Sequence, residues 1–472
     1  MSAHAPPLRV VVVGGGLSGS LCALHLLLAA RPVEVTCLDR VAGFARGLAY
    51  GTACPAHLLN VPAGRMSALP ERPGDLCAWA ATQGLPAGEG AFLPRMRYGD
   101  YLAARLSEAQ AAAAPGTQLR RTSAEAVHVQ AAQGSGAPLR VDLADGRVLG
   151  ADHVVLATGN LAPSDPLAAA GVGGAGGAAG GAALDGARYA RDPWHASALE
   201  GLGAHDEVLL LGTGLTAVDL LLALRAQGVP ARVHALSRHG WLPQAQHAAG
   251  GASRPLEARD LPLHMATPRH LLRALRRAAC AHAAAGGDWR DVIGALRPHT
   301  PALWQALGLR GQAQFLRHLR TLWDVHRHRL PGGVEGLLAA ERARGGLVLH
   351  AGRVRSVAPC AQGVRVHVAP RGGGPPAVLE VARIINATGP SPDLRRTHDP
   401  LLASLARAGA LEPHPLGLGL CCDAQGAVAG TLRGRLWALG ILRMGLLWES
   451  TAAPELRVQA RDLALQLAAQ PG

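Results

Sequence analysis

The 472-residue sequence predicts an α/β protein with two parallel-sheet units, the second inserted into the first, and a helical subregion. Three observations carry this reading. The valine run Val10–Val13 leads into Gly14-Gly15-Gly16-Leu17-Ser18-Gly19 and the apolar stretch Ser20–Ala29, in the order strand, glycine turn, helix. The same order recurs at Glu207–Leu211 followed by Gly212-Thr213-Gly214-Leu215-Thr216-Ala217. Each unit is trailed by a buried strand ending in Ala-Thr-Gly, at Ala157-Thr158-Gly159 and Ala387-Thr388-Gly389, which makes a long-range internal repeat.

Along the chain, Val33–Leu38 reads as a strand ending at Asp39, and Leu76–Ala81 and Tyr98–Ala114 as helices. Ala126–Val129 and Leu139–Leu143 alternate as strands, Asp145-Gly146 is a turn, and His153–Leu156 is a buried strand. Ala162 to Ala187 is almost all Ala, Gly and Pro, lacks side chains to pack, and reads as a mobile loop or linker. Arg232–Leu236 is the second strand of the second unit, and Leu261 to Arg329 has a helical period. Leu347–Leu349, Val354–Val357, Val364–Val368 and Arg383–Asn386 return to strand character. Pro454 to Gln470 is a helix, with Pro454 suited to its first turn and Glu455 to its N-terminal dipole. The expected organisation is a first domain over 1–160, a linker over 161–200, a second domain over 201–355 holding the helical region 261–330, and a return to the first domain over 356–472.

The first motif has the full G-x-G-x-x-G form at Gly14, Gly16 and Gly19, with Ser18 inside it. Glycine permits the tight turn, the approach of a pyrophosphate to the backbone, and the closure of helix on sheet. The anion then sits on the helix N-terminus, while Asp39, about twenty residues on, is placed to read ribose hydroxyls. These are two Rossmann-type dinucleotide-binding domains. The second motif, Gly212, Gly214 and Ala217 with Thr216, lacks the acid: its strand ends in Ser237-Arg238. Arg238 suits a 2′-phosphate, so NADPH is preferred to NADH there. Asp219, inside the second helix, reads as a local hydrogen-bonding residue.

Composition excludes several classes. There is no lysine, so neither a PLP Schiff base nor a Walker-A lysine is available. The net charge of +13 comes from scattered arginines in a chain with 3% aromatics, without the basic run that nucleic acid would require. Eight cysteines contain no C-x-x-C pair, which removes a redox dithiol and a zinc framework. No apolar run reaches the roughly 18–20 residues of a membrane span. The N-terminal valines enter a glycine turn rather than a cleavage site, so the expectation is a soluble, cytoplasmic protein. Association into a homo-oligomer is left open.

The chain resembles the bacterial FAD/NAD(P)-binding flavoproteins that include flavin-dependent urate hydroxylases and aspartate N-oxygenases. The resemblance is carried by Gly47-Leu48-Ala49-Tyr50-Gly51-Thr52, His57-Leu58-Leu59-Asn60-Val61-Pro62, Met66-Ser67-Ala68 and Arg95 to Leu102. Gly212 to Asp219, Trp323 to Leu330, Asn386 to Pro390, and Leu439-Gly440 through Trp448 to Glu455 complete it. More distantly it is similar to class B flavin monooxygenases. Their F-x-G-x-x-x-H linker is absent, and Pro193-Trp194-His195 falls where it would end. The resemblance implies FAD on the first unit and NADPH on the second. It places Gly159 and Gly389 at chain crossings beside the cofactors, and Gly440, Thr451 and Ala452 at the flavin. Asn60 matches an asparagine that stands beside the flavin and donates to it or to bound oxygen.

His326 and Arg329, in the polar run Trp323–Arg329, are the candidates for moving a proton and clamping an anion, sharing one helical face; Asp324 and His328 share another. His326 and His328 diverge on a helix, so no metal is expected. The function implied is an NAD(P)H-dependent flavin monooxygenase that hydroxylates a small polar molecule, such as urate or the amino group of an amino acid, with O2. A flavoprotein reductase and a non-catalytic flavin protein are the alternatives.

Overall fold

The computed structural model describes residues 6–41, 43–132, 137–169, 184–247 and 267–470. Part of the expected linker, 170–183, and the start of the expected helical region, 261–266, lie outside the described residues.

β1 (Leu8–Val13), β2 (Val33–Asp39) and β3 (Gln118–Ser123) run parallel, with β1 in the middle of the sheet they begin. The valines of β1 are buried on both faces, as expected of a central parallel strand covered by helices. A small antiparallel sheet of β4 (Ala126–Ala131), β5 (Leu139–Leu143) and β6 (Val148–Ala151) follows, and β7 (His153–Leu156) returns to pair with the other side of β1. β3 carries few apolar residues, burying only Leu119 fully, which is why its pattern did not announce a strand.

The second sheet holds β8 (Tyr189–Ala190), β9 (Glu207–Leu211), β10 (Arg232–Ser237), β11 (Leu347–Cys360), β12 (Gly363–Pro370), β13 (Ala377–Val381) and β14 (Arg383–Asn386). Its order is β13-β12-β11-β10-β9-β14-β8. The two strands expected at 347–349 and 354–357 are one: the first part of β11 pairs parallel with β10 and the rest antiparallel with β12. The return to the first domain at residue 356 is therefore corrected. The chain stays in the second sheet through Asn386, because β12 to β14 find their partners there, a choice that alternation alone does not encode. Within the expected linker 161–200, Tyr189–Ala190 likewise adds an edge strand beside β14.

β15 (Leu436–Ala438) then pairs parallel with β7, and the helix Ala453–Ala469 packs on the first-motif helix Leu17–Leu27. This return makes the second unit an insertion in the first. Between β10 and β11 lie helices at Pro268–Ala284, Trp289–Leu296, Thr300–Ala306, Gly308–His318 and Arg320–Arg327. Their starts are legible: Thr267 caps Pro268, and Asp288 and Asp291 form a capping box.

Where β15 meets β7, Trp437 Nε1 donates to His153 Nδ1 at 3.3 Å. Burial, reinforced by Arg435 and Arg31 against Asp152, pushes His153 down from 6.5 to about 4. Above 6.5 the ring is neutral in both folded and unfolded chains; below it the unfolded chain takes up a proton that the folded one refuses until about 4. Stability should therefore fall as pH drops from 6.5 to 4, by up to about 3 kcal/mol. Denaturant midpoints across that window should show the fall, and His153→Gln should flatten it.

Candidate functional site

Both sheets end in the same backbone crossing. Gly14, at φ +110°, follows β1; a Cβ there would lie 2.2 Å from the carbonyl oxygen of Ala157. Gly212, at φ +128°, follows β9, and its Cβ would lie 2.3 Å from the carbonyl oxygen of Ala387. Gly14 N donates to Leu38 O at 2.9 Å and Gly212 N to Leu236 O at 2.8 Å. Ala157 N and Ala387 N donate at 2.9 Å to Val13 O and Leu211 O. The internal repeat is thus a repeat of geometry, and neither crossing tolerates a side chain.

Around the first crossing the turn is a cradle. Gly19 packs so closely that its Cβ would lie 1.8 Å from Gly14 O, and Gly16 faces the Cα of Gly47 at 3.3 Å. Ser18 is buried and lies 3.1 Å from where a Cβ on Gly440 would be. Gly440 itself follows β15 at φ +71°. Gly159 and Gly389, both at positive φ, and Gly214 face open space, as positions approached by a ligand would. The Thr158 hydroxyl and the Ser450 hydroxyl, just before Thr451, are buried without a hydrogen-bond partner. Glycines that clear space and buried polar atoms left unpaired at the carboxyl edges of parallel strands fit a bound dinucleotide. Ala452 stands at the N-cap of Ala453–Ala469, and Thr451 is exposed beside it. Thr216, in the first turn of Leu215–Ala226, holds the equivalent place on the second unit.

Asp39 is already engaged: its Oδ2 accepts from Gly15 N and its Oδ1 from Val41 N, both at 2.9 Å. The carboxylate braces the glycine turn. Sequence reasoning passed over Gly15, whose Cβ would meet Phe44 at 2.6 Å and Asp39 Oδ2 at 2.8 Å. Arg238 is exposed at the end of β10, with Nη2 3.4 Å from Thr321 Oγ1.

Asp219 is more than a local partner. Its buried carboxylate pairs with Arg95 Nη1 at 2.8 Å, and its carbonyl accepts from His57 Nε2 at 2.9 Å. Arg95 and His57 belong to the chain of the first unit, so this buried pair fastens the second-motif helix to it. Burial raises the Asp219 carboxyl and Arg95 opposes that. Thr52 is 2.8 Å from His57 Nδ1, and Trp194 meets the His57 ring edge-on. Gln246 Nε2 donates to the Asn60 backbone carbonyl at 3.0 Å, and the half-buried Asn60 side-chain amide has no protein partner among the described residues. The Arg95 pairing was beyond sequence reasoning, since its partner lies 124 positions away.

The expected shared face of His326 and Arg329 needs correction. The helix ends at Arg327 and His328 is its C-cap, so Arg329 lies beyond it. Asp324 and His328 approach to 3.9 Å on the half-exposed surface. His326 Nδ1 donates to Leu322 O at 2.8 Å. Arg327 pairs with Glu449 at 3.1 Å, and Trp323 Nε1 donates to the same carboxylate at 3.1 Å. Arg329 is 9% exposed, and its Nε and Nη1 are buried without hydrogen-bond partners among the described residues. Burial first, then Arg327, Arg290 and Arg65, lowers its guanidinium to about 10, with Asp288 opposing. An unpaired buried cation is costly and calls for an anion. Trp448, two residues before Ser450, has φ +58° and ψ −60°, a strain of about 1–3 kcal/mol for a bulky residue. Among the described residues no group of three His, Cys, Asp or Glu side chains is placed to hold a metal, and no helix is long and apolar enough to cross a membrane.

Residues 11–161 match the FAD-NAD(P)-binding family. No curated protein matches the chain in sequence. Among solved structures, the chain is similar to an ornithine hydroxylase from Pseudomonas aeruginosa at 18% identity and TM-score 0.60, covering 98% of each chain. It is similar to an L-lysine 6-monooxygenase from Pseudomonas syringae at 15% identity and TM-score 0.63, covering 98% of this chain and 99% of the other. A flavin-containing monooxygenase from Stenotrophomonas maltophilia gives 17% identity and TM-score 0.54, with coverage of 98% and 99%. Gly14→Ala should purify without the flavin absorbance of the wild type, since its Cβ collides with backbone that has nowhere to move. Residues 11–161 thus match a FAD-NAD(P)-binding family model, and the whole chain shares its fold with these hydroxylases and monooxygenases.

Proposed function

We propose that the protein is a FAD-dependent monooxygenase that uses NADPH and O2 to hydroxylate the amino group of an amino-acid-like substrate. The observation that carries this is the twin crossing at Gly14–Ala157 and Gly212–Ala387, one cradle for each dinucleotide. The likeness in fold to hydroxylases named for ornithine and lysine supports the choice of an amine. Overall, one oxygen atom forms a new N–O bond with the amine and the other leaves as water. NADPH and a proton supply the two electrons and the hydrogen that this requires. When bound, FAD supplies the redox and oxygen chemistry.

The residues divide the remaining work. Gly14, Gly16, Ser18 and Gly19 offer amides and the helix end to the FAD pyrophosphate, Asp39 holds that turn and faces the ribose, and Gly159, Gly440, Thr451 and Ala452 complete the flavin side. Gly212, Gly214, Thr216 and Gly389 hold NADPH, and Arg238 takes its 2′-phosphate. Asn60 offers its unpartnered amide to the flavin. Arg329 receives the anionic end of the substrate, and His326 stands one helical turn from Leu322 as the group able to exchange a proton. The domains meet this division with the flavin unit over 1–160 and again from β15 onward, and the nicotinamide unit built on β8 to β14.

NADPH added without oxygen to the FAD-loaded protein should bleach the flavin, and admitting air with a suitable amine should yield a hydroxylamine. Absence of bleaching sinks the reading; bleaching with no amine-dependent product makes the protein a reductase. Arg329→Gln should raise KM for a carboxylate-bearing amine at least tenfold with little change in kcat. Because it removes an unpaired buried charge, it should not lower the melting temperature.

A further inference from the structure

A cavity of about 320 Å³ opens along the helical subregion. Four tryptophans and a phenylalanine line it: Trp289, Trp304, Trp323, Trp448 and Phe315. The whole chain holds 8 Trp and 3 Phe, so half its tryptophans stand around one space. Four of them, Trp304, Trp323, Trp448 and Phe315, form a connected set. Trp304 stacks on Trp448 at 4.8 Å between centroids, and Phe315 meets both edge-on at 5.8 and 5.2 Å.

Two of the indole N–H groups are satisfied outside the cavity. Trp304 Nε1 donates to Gly445 O at 2.8 Å and Trp323 Nε1 to Glu449. Those rings therefore offer carbon surface to an occupant. The cavity's volume falls in the range of roughly 300–1,000 Å³ typical of ligand pockets. Two ends of the cavity tie it to the proposed site. The strained Trp448 precedes the segment Glu449 to Ala452 that leads into the final helix. Trp289 packs against His326 at 4.9 Å and lies 5.9 Å beneath the unpaired Arg329 guanidinium.

Resting on the monooxygenase reading, we infer that the substrate amine carries a large apolar body, seated in this aromatic cavity while its carboxylate meets Arg329. A compact polar amino acid would leave the rings uncovered. The enzyme is built for an amphipathic amino acid with a long aliphatic or aromatic side chain.

The series from 2-aminobutanoate to 2-aminodecanoate tests this on the FAD-loaded enzyme, with binding read from tryptophan fluorescence in the absence of NADPH. Kd should fall about three- to fourfold for each added methylene until the cavity is filled. Ile293→Trp, which fills the cavity from its wall, should weaken the longest member at least tenfold and spare the shortest. A flat series, or L-aspartate and urate binding as tightly as the longest member, overturns the inference. Binding that follows chain length without hydroxylamine formation overturns the substrate assignment and leaves an apolar effector site. Flavin bleaching by NADPH is scored separately: bleaching with a flat series fails this inference alone, whereas graded binding without bleaching fails the monooxygenase reading and leaves only an apolar binding site.

Discussion

At the carboxyl ends of the parallel strands in each sheet the backbone passes over itself with no room for a side chain. Gly14 lies against Ala157 and Gly212 against Ala387, each glycine at a φ that L-residues avoid. Everything placed at the candidate site follows from that contact. It lets the next helix begin directly above the strand, with its free amides at the edge where β1, β2, β7 and β15 all end. The Thr158 hydroxyl, Asp39 and Gly440 reach the same edge because the strands carrying them are parallel to β1 and in register with it.

Two such units become one machine only if held in fixed relation. The buried Arg95–Asp219 pair does this from within the second-motif helix, together with His57 on the Asp219 carbonyl and Gln246 on the Asn60 carbonyl. Taking both charges out of water is costly, and the pair persists because Arg95 also donates to Leu58 O and so keeps its nitrogens occupied. The final segment fastens the helical subregion in turn. Glu449 holds Arg327 and Trp323, and Glu455 holds Arg297. Arg329 stands apart from these ion pairs among the described residues.

Much of the fold was legible in the residues. Four-residue apolar runs before glycines, an aspartate at the end of β2, and Ala-Thr-Gly after β7 and β14 are local signals, and local signals survive without tertiary knowledge. β3 was not legible because its exposed arginines hide the alternation, and the true extent of the second sheet was not, because a strand does not name its partner. His326 and Arg329 were placed on one helical face by counting; the helix stopped first, at Arg327.

The sequence by itself determined the two cradles and their order, because a positive φ and a missing Cβ are properties of single residues. It also placed an arginine, Arg238, where the first unit has its acid. Only the tertiary structure decided that β12 to β14 extend the second sheet, that Asp219 meets Arg95, and that four tryptophans spread between 289 and 448 surround one cavity. Those facts depend on contacts between residues far apart in the chain, and a contact of that kind is fixed by packing rather than by the identity of either partner.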